Sequence, residues 1–77
     1  MEKWTEAERD FTRSIELEPK DPLAYNNRAL LYHYMMDVDP STYDKAYADY
    51  SESIRLHQNA VYYYNRGFLS KVIIVKN

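Results

Sequence analysis

Cysteine is absent from the 77 residues, and glycine and proline are scarce, at one and three. Without cysteine there is no disulfide scaffold and no thiolate zinc site. With so little Gly and Pro, a loop-rich or many-turned β fold is excluded, because such folds need both at their turns. Neither sign of charge is in large surplus: ten Lys and Arg stand against 12 Asp and Glu, net −2. Binding a phosphate backbone requires neutralising it, so no nucleic-acid partner is expected. Long apolar runs are missing too. The longest aliphatic stretch is Val72–Val75, far short of the ~20 residues that span a bilayer, so no membrane insertion is expected. The opening Met1-Glu2-Lys3-Trp4 lacks the apolar core of a secretory signal, which predicts a cytoplasmic protein. What remains is 45% apolar, 16% aromatic and rich in Tyr, with nine. That composition predicts one small, helical, globular domain over 1–77.

The chain repeats itself. Residues 4–17 laid over 43–56 give five identities in 14 positions: Ala7/Ala46, Asp10/Asp49, Ser14/Ser53, Ile15/Ile54 and Leu17/Leu56. Trp4/Tyr43 and Phe11/Tyr50 keep aromatic character. Residues 24–32 laid over 62–70 match at Tyr25/Tyr63, Asn27/Asn65, Arg28/Arg66 and Leu31/Leu69, with Ala29 facing Gly67. The offsets are 39 and 38, so one residue is lost between the two segment types.

Both segment types carry helical periodicity. Trp4, Ala7, Phe11, Ser14 and Ile15 fall on one stripe of a 3.6-residue helix. Tyr25, Ala29 and Tyr32 do the same. Small residues at Ala7, Ala29, Ala46 and Gly67 allow close helix approach, with aromatics filling the space beside them. In Leu17-Glu18-Pro19-Lys20-Asp21-Pro22, Pro19 stops one helix, Asp21 caps the next and Pro22 occupies its first turn. Asp39-Pro40-Ser41-Thr42 repeats that grammar, with Asp39 as a cap. Helices are predicted at 2–18, 22–36, 40–56 and 60–75. The β-branched run Val72–Val75 leaves open a frayed end or a strand.

Tyr25-x2-Arg28-Ala29-x2-Tyr32 followed by Ala46-x3-Tyr50, and Ala7-x3-Phe11 followed by Pro19, resemble the tetratricopeptide repeat over nearly the whole chain. The resemblance implies an all-α fold of about four helices. Antiparallel hairpins would stack as a short right-handed solenoid. It also implies a frame: 1–19 the second helix of one repeat, 20–57 a complete repeat, and 58–77 the first helix of another. Three positions depart from the family pattern. Tyr32 to Tyr43 is 11 residues, where the family uses about six, so about five are inserted in His33–Asp39. One extra turn on the second helix and a longer, dispensable corner are expected from them. Gln58 stands where the repeat-ending Pro is expected, and Ser70 replaces the closing Tyr.

The resemblance further implies a protein-interaction module that binds a peptide or helical partner in the concave face of its first helices. Carried over residue by residue, that face is Leu23, Asn26, Asn27, Leu30, His33 and Tyr34, then Val61, Tyr64, Asn65, Phe68, Lys71 and Val72. Asn can satisfy peptide N–H and C=O groups while Tyr supplies contact area. A carboxylate clamp for chaperone tails, known in part of the family, is disfavoured. Asn27 matches its middle Asn, but Val61 and Asn65 stand where its Lys and Arg are expected. An alternative is a self-assembly unit whose outer helices complete one another. Trp4, Ala7 and Phe11 would meet Tyr63, Gly67, Phe68 and Val72–Val75, with a closed homodimer favoured over a filament.

No enzyme, cofactor or metal is expected. His33 and His57 lie in different elements with no nucleophile or ligand spacing beside them, and each reads as a surface or cap residue. Asp37-Val38-Asp39 lacks the Gly and distal Glu of a calcium loop. Arg28 and Arg66 recur at equivalent positions, and a structural ion pair with Asp49 is expected. In Tyr62-Tyr63-Tyr64, which could stack bases but for the missing basic surplus, Tyr63 reads as core from its match to Tyr25.

Overall fold

The computed structural model describes the backbone of residues 2–76 and the side chains of residues 3–69. It contains four helices in chain order: α1 (Glu2–Leu17), α2 (Pro22–Met35), α3 (Thr42–Leu56) and α4 (Ala60–Lys76). Each packs on its neighbours in the chain, and the described residues contain no strand. Fold class and all four helices agree with the sequence pattern. The run Val72–Val75 is helical in its backbone.

Local chemistry sets the ends. Asp21 Oδ1 accepts the Leu23 N–H at 3.0 Å, and Pro22 opens α2, where a missing N–H costs nothing. At α3 the helix begins at Thr42, two residues later than expected. Asp39 does not cap it directly. Its Oδ1 instead accepts from the Ser41 hydroxyl (2.6 Å) and backbone N–H (3.1 Å), closing the turn ahead of the helix. Those two bonds hold the Asp39 carboxyl below its ordinary pKa. At α4, Asn59 Oδ1 accepts the Val61 N–H at 2.8 Å, which supplies a cap where Gln58 replaces the expected proline.

The insertion adds no regular turn to α2. The helix stops at Met35, and residues 36–38 form turns closed by Val38 and Asp39 N–H groups on the Met35 carbonyl (3.0 and 2.8 Å). Met36 tucks under this corner and is only 4% exposed. Thr42 fastens the corner from the other side, its buried hydroxyl donating to the Tyr32 carbonyl at 2.8 Å. The corner is therefore not the dispensable loop that the family spacing implies, because it delivers a core residue.

The core joins Ala29 and Tyr32 of α2, Met36, Ala46 and Tyr50 of α3, and Leu69 of α4. Ala29 and Ala46 are both fully buried in it, small residues of the kind that allow close helix approach. Around it, Ala46, Asp49, Ser53 and Ile54 are all buried on α3. Their four identical counterparts on α1 are not: Ala7 and Ile15 are half-buried, and Asp10 and Ser14 are exposed. The same contrast separates α2 from α4. Ala29 is buried, while a Cβ built on Gly67 would meet nothing within 4 Å. Tyr63, expected in the core, is 45% exposed, because the described residues place no helix over that side of α4.

Candidate functional site

Six side chains line a cleft of about 160 Å³: Leu30, His33 and Tyr34 from α2, Tyr50 from α3, and Asn65 and Phe68 from α4. Helical spacing puts the α2 trio on one face, and α3 behind them brings α4 alongside. His33 sits at the centre. Its ring lies 5.7 Å from that of Phe68, 6.3 Å from that of Tyr34 and 6.5 Å edge-on from that of Tyr50. Its Nδ1 is 3.4 Å from the Tyr50 hydroxyl, a long bond whose donor depends on the imidazole tautomer. Burial pushes the Tyr50 phenol above its ordinary pKa, with the Tyr34 phenol adding to it, so the hydroxyl stays neutral. Asn65 Nδ2 donates to Asn26 Oδ1 at 3.3 Å, which ties α4 to α2.

Of the twelve residues assigned to the face from sequence, five meet in this cleft: Leu30, His33, Tyr34, Asn65 and Phe68. Asn26 is buried and serves to hold Asn65. Leu23, Val61 and Tyr64 are exposed outside the lining, Tyr64 stacking on Phe68 at 6.3 Å. Asn27 is half-buried and also outside it. The side chains of Lys71 and Val72 lie outside the described residues. Tyr50 was missed, because its match to Phe11 reads as core. The one available signal was the hydroxyl that distinguishes it from Phe11.

The cleft is smaller than the about 300–1,000 Å³ of small-molecule sites and has room for one side chain. Its walls are aromatic and aliphatic, with an amide and an imidazole as polar groups. A larger groove of about 360 Å³ runs along α1, but all its lining residues, Thr5, Glu8, Arg9, Thr12, Arg13 and Glu16, belong to that helix.

A polar cluster beside the core ties three helices together. Arg28 on α2 grips Asp49 on α3 with both ends of its fork, Nε to Oδ2 at 2.7 Å and Nη2 to Oδ1 at 2.9 Å. Its Nη1 donates to Thr12 Oγ1 on α1 at 3.1 Å. The Tyr32 hydroxyl donates to Glu8 Oε2 at 2.6 Å. The Asp49 bond raises the Arg28 pKa against the lowering effect of burial. Burial first and Glu8 second raise that of Tyr32. This is the ion pair expected from sequence, and its bidentate form fixes the register of α2 on α3. On α4, Arg66 Nη1 donates to Ser51 Oγ at 3.2 Å, and its guanidinium lies 5.4 Å from the Tyr47 ring centroid. His57 is exposed at the end of α3. No three acidic, His or Cys side chains converge among the described residues, and no described helix is long and apolar enough to cross a membrane.

Compared with known proteins, a tetratricopeptide-repeat family model matches residues 11–52, from the middle of α1 to near the end of α3. No curated protein and no solved structure matches the chain.

Proposed function

The chain belongs to the tetratricopeptide repeat family, whose members are protein-interaction repeat modules, and from that premise we propose that it binds a peptide segment or helical partner across α2 and α4. The cleft around His33 carries this reading. One apolar side chain of the partner enters between Leu30 and Phe68. Asn65 offers its amide oxygen to the partner's backbone, and the exposed rings of Tyr34 and Tyr64 cover the flanks. Aromatic anchors around a small desolvated pocket are the usual centre of such a contact. Leu23 and Val61, both more than half exposed, extend the apolar surface beyond the cleft.

A selection from a random peptide library on the immobilised chain tests this. Phe68→Ala should weaken the selected peptides by about 30-fold, the effect of losing one hot-spot side chain. Tyr47→Ala, on α3 and away from the cleft, should leave them within about twofold. Equal effects of the two substitutions would contradict the assignment.

A second reading is self-assembly through the outer helices, favoured by one observation. The residues buried on α3 recur, identical in four places, on α1, where two of them are half-buried and two are exposed. In this reading a homodimer or filament forms as α1 and α4 of different copies cover each other.

A further inference from the structure

Arg28 and Arg66 occupy the same place in the internal repeat, and so do Asp49 and Asp10. Among the described residues only the inner pair is made. Arg28 holds Asp49 through two bonds, with Asp49 only 8% exposed. Arg66 is prepared in the same way. Its Nη1 bond to Ser51 reproduces the Arg28 bond to Thr12, at 3.2 against 3.1 Å, and Ser51 and Thr12 are themselves equivalent positions. Yet among the described residues Arg66 meets no carboxylate, and Asp10 meets no cation. Each carries the charge that the other lacks, on faces whose apolar parts also match. Gly67, open to solvent, corresponds to buried Ala29, and half-buried Ala7 to buried Ala46.

We infer that α4 of one copy docks on α1 of a second copy, re-forming the α2–α3 contact between chains with Arg66 bidentate on Asp10 of the second copy. The inference rests on the self-assembly reading and adds its register and its ion pair. The inner hairpin is the template. It shows that this set of residues, brought together, becomes a buried contact with a satisfied guanidinium. The contact is head-to-tail. It closes into a ring if the rotation between copies permits and otherwise continues as a filament.

Sedimentation equilibrium of the 77-residue chain up to ~100 µM, about a hundredfold above a micromolar dissociation constant, tests it. The chain should associate. Asp10→Arg alone and Arg66→Asp alone should each weaken association by at least about tenfold, because each sets like charges against one another in a closing contact. An equimolar mixture of the two variants should restore it, since each then presents the complement of the other. Should Arg66→Asp disturb the fold, Gly67→Glu is the second variant. It points into open space in the single chain, so helicity by circular dichroism should be unchanged while association falls at least about tenfold. Association that ignores all three substitutions, or a mixture that fails to recover, overturns the proposed register and leaves self-assembly standing. A strictly monomeric mass throughout overturns both.

Discussion

The inner helices α2 and α3 and the outer helices α1 and α4 are built from the same words and sit in different surroundings. Ala46 is fully buried and Ala7 half-buried; Asp49 is gripped by Arg28 while Asp10 faces solvent. A repeat residue thus acquires its energetic role from the helix packed against it. The sequence motif is a demand for a partner, met in the middle of the chain by the next element along.

The largest effect should come from breaking the inner ion pair. Asp49→Ala leaves the Arg28 guanidinium mostly buried without its carboxylate and should cost about 3 kcal/mol of stability. Asp10→Ala, the same change on the outer helix, should cost no more than about 0.5 kcal/mol in dilute solution. Urea titration of both variants gives the difference, and equal losses would erase the distinction between the two regions.

Next comes the corner. Met36→Ala should destabilise by about 2 kcal/mol, through lost burial and the cavity left beside Tyr32 and Tyr50. Val38→Ala, two residues on and 55% exposed, should change stability by less than about 0.5 kcal/mol. Deleting residues from His33 to Asp39 should therefore unfold the chain if Met36 is among them.

Overpacking follows in size. Ala46→Leu should cost about 1–3 kcal/mol by driving neighbours off their rotamers. Ala7→Leu and Tyr47→Ala, at less buried positions, should each cost less. The smallest effect has the opposite sign. Gly67→Ala should stabilise the monomer by about 0.5–1 kcal/mol, since it lies within a helix with open space around it.

Tyr32 and Tyr50 give the comparison a pH dependence. Both phenols titrate above the ordinary Tyr value when folded, so the folded state prefers them neutral. Their contribution is complete below the unfolded value of about 10 and is lost as pH rises beyond it. Alkaline unfolding should begin above that pH, and Tyr50→Phe should move its onset upward.

Much of this is legible in the internal repeat of the sequence. The matched Ala, Ile and aromatic positions located the α2–α3 contact, and the recurrence of Arg28 beside Asp49 located its ion pair. Asp21-Pro22 located a helix start, because caps are local chemistry. Three features were hidden. Tyr50 reads as a core ring, and only the fold brings its hydroxyl to His33. Met36 lies in an insertion, where no second copy exists to align it, so its burial had no periodic signal. Tyr63 matches Tyr25, but exposure depends on the neighbouring helix and not on the residue. In the candidate face, the resemblance to the repeat family pointed to five of the six cleft residues, while those nearer the helix starts, Leu23 and Val61, fall outside it.

The most direct test is a pair of double-mutant cycles in urea, Arg28/Asp49 and Arg66/Asp10, each run in dilute and in concentrated solution. The inner pair should show a coupling of about 1–3 kcal/mol at both concentrations. The outer pair should show none when dilute and should gain coupling as concentration rises, because association stabilises the folded state by mass action. An outer coupling that is independent of concentration, or an inner coupling of zero, would contradict the account.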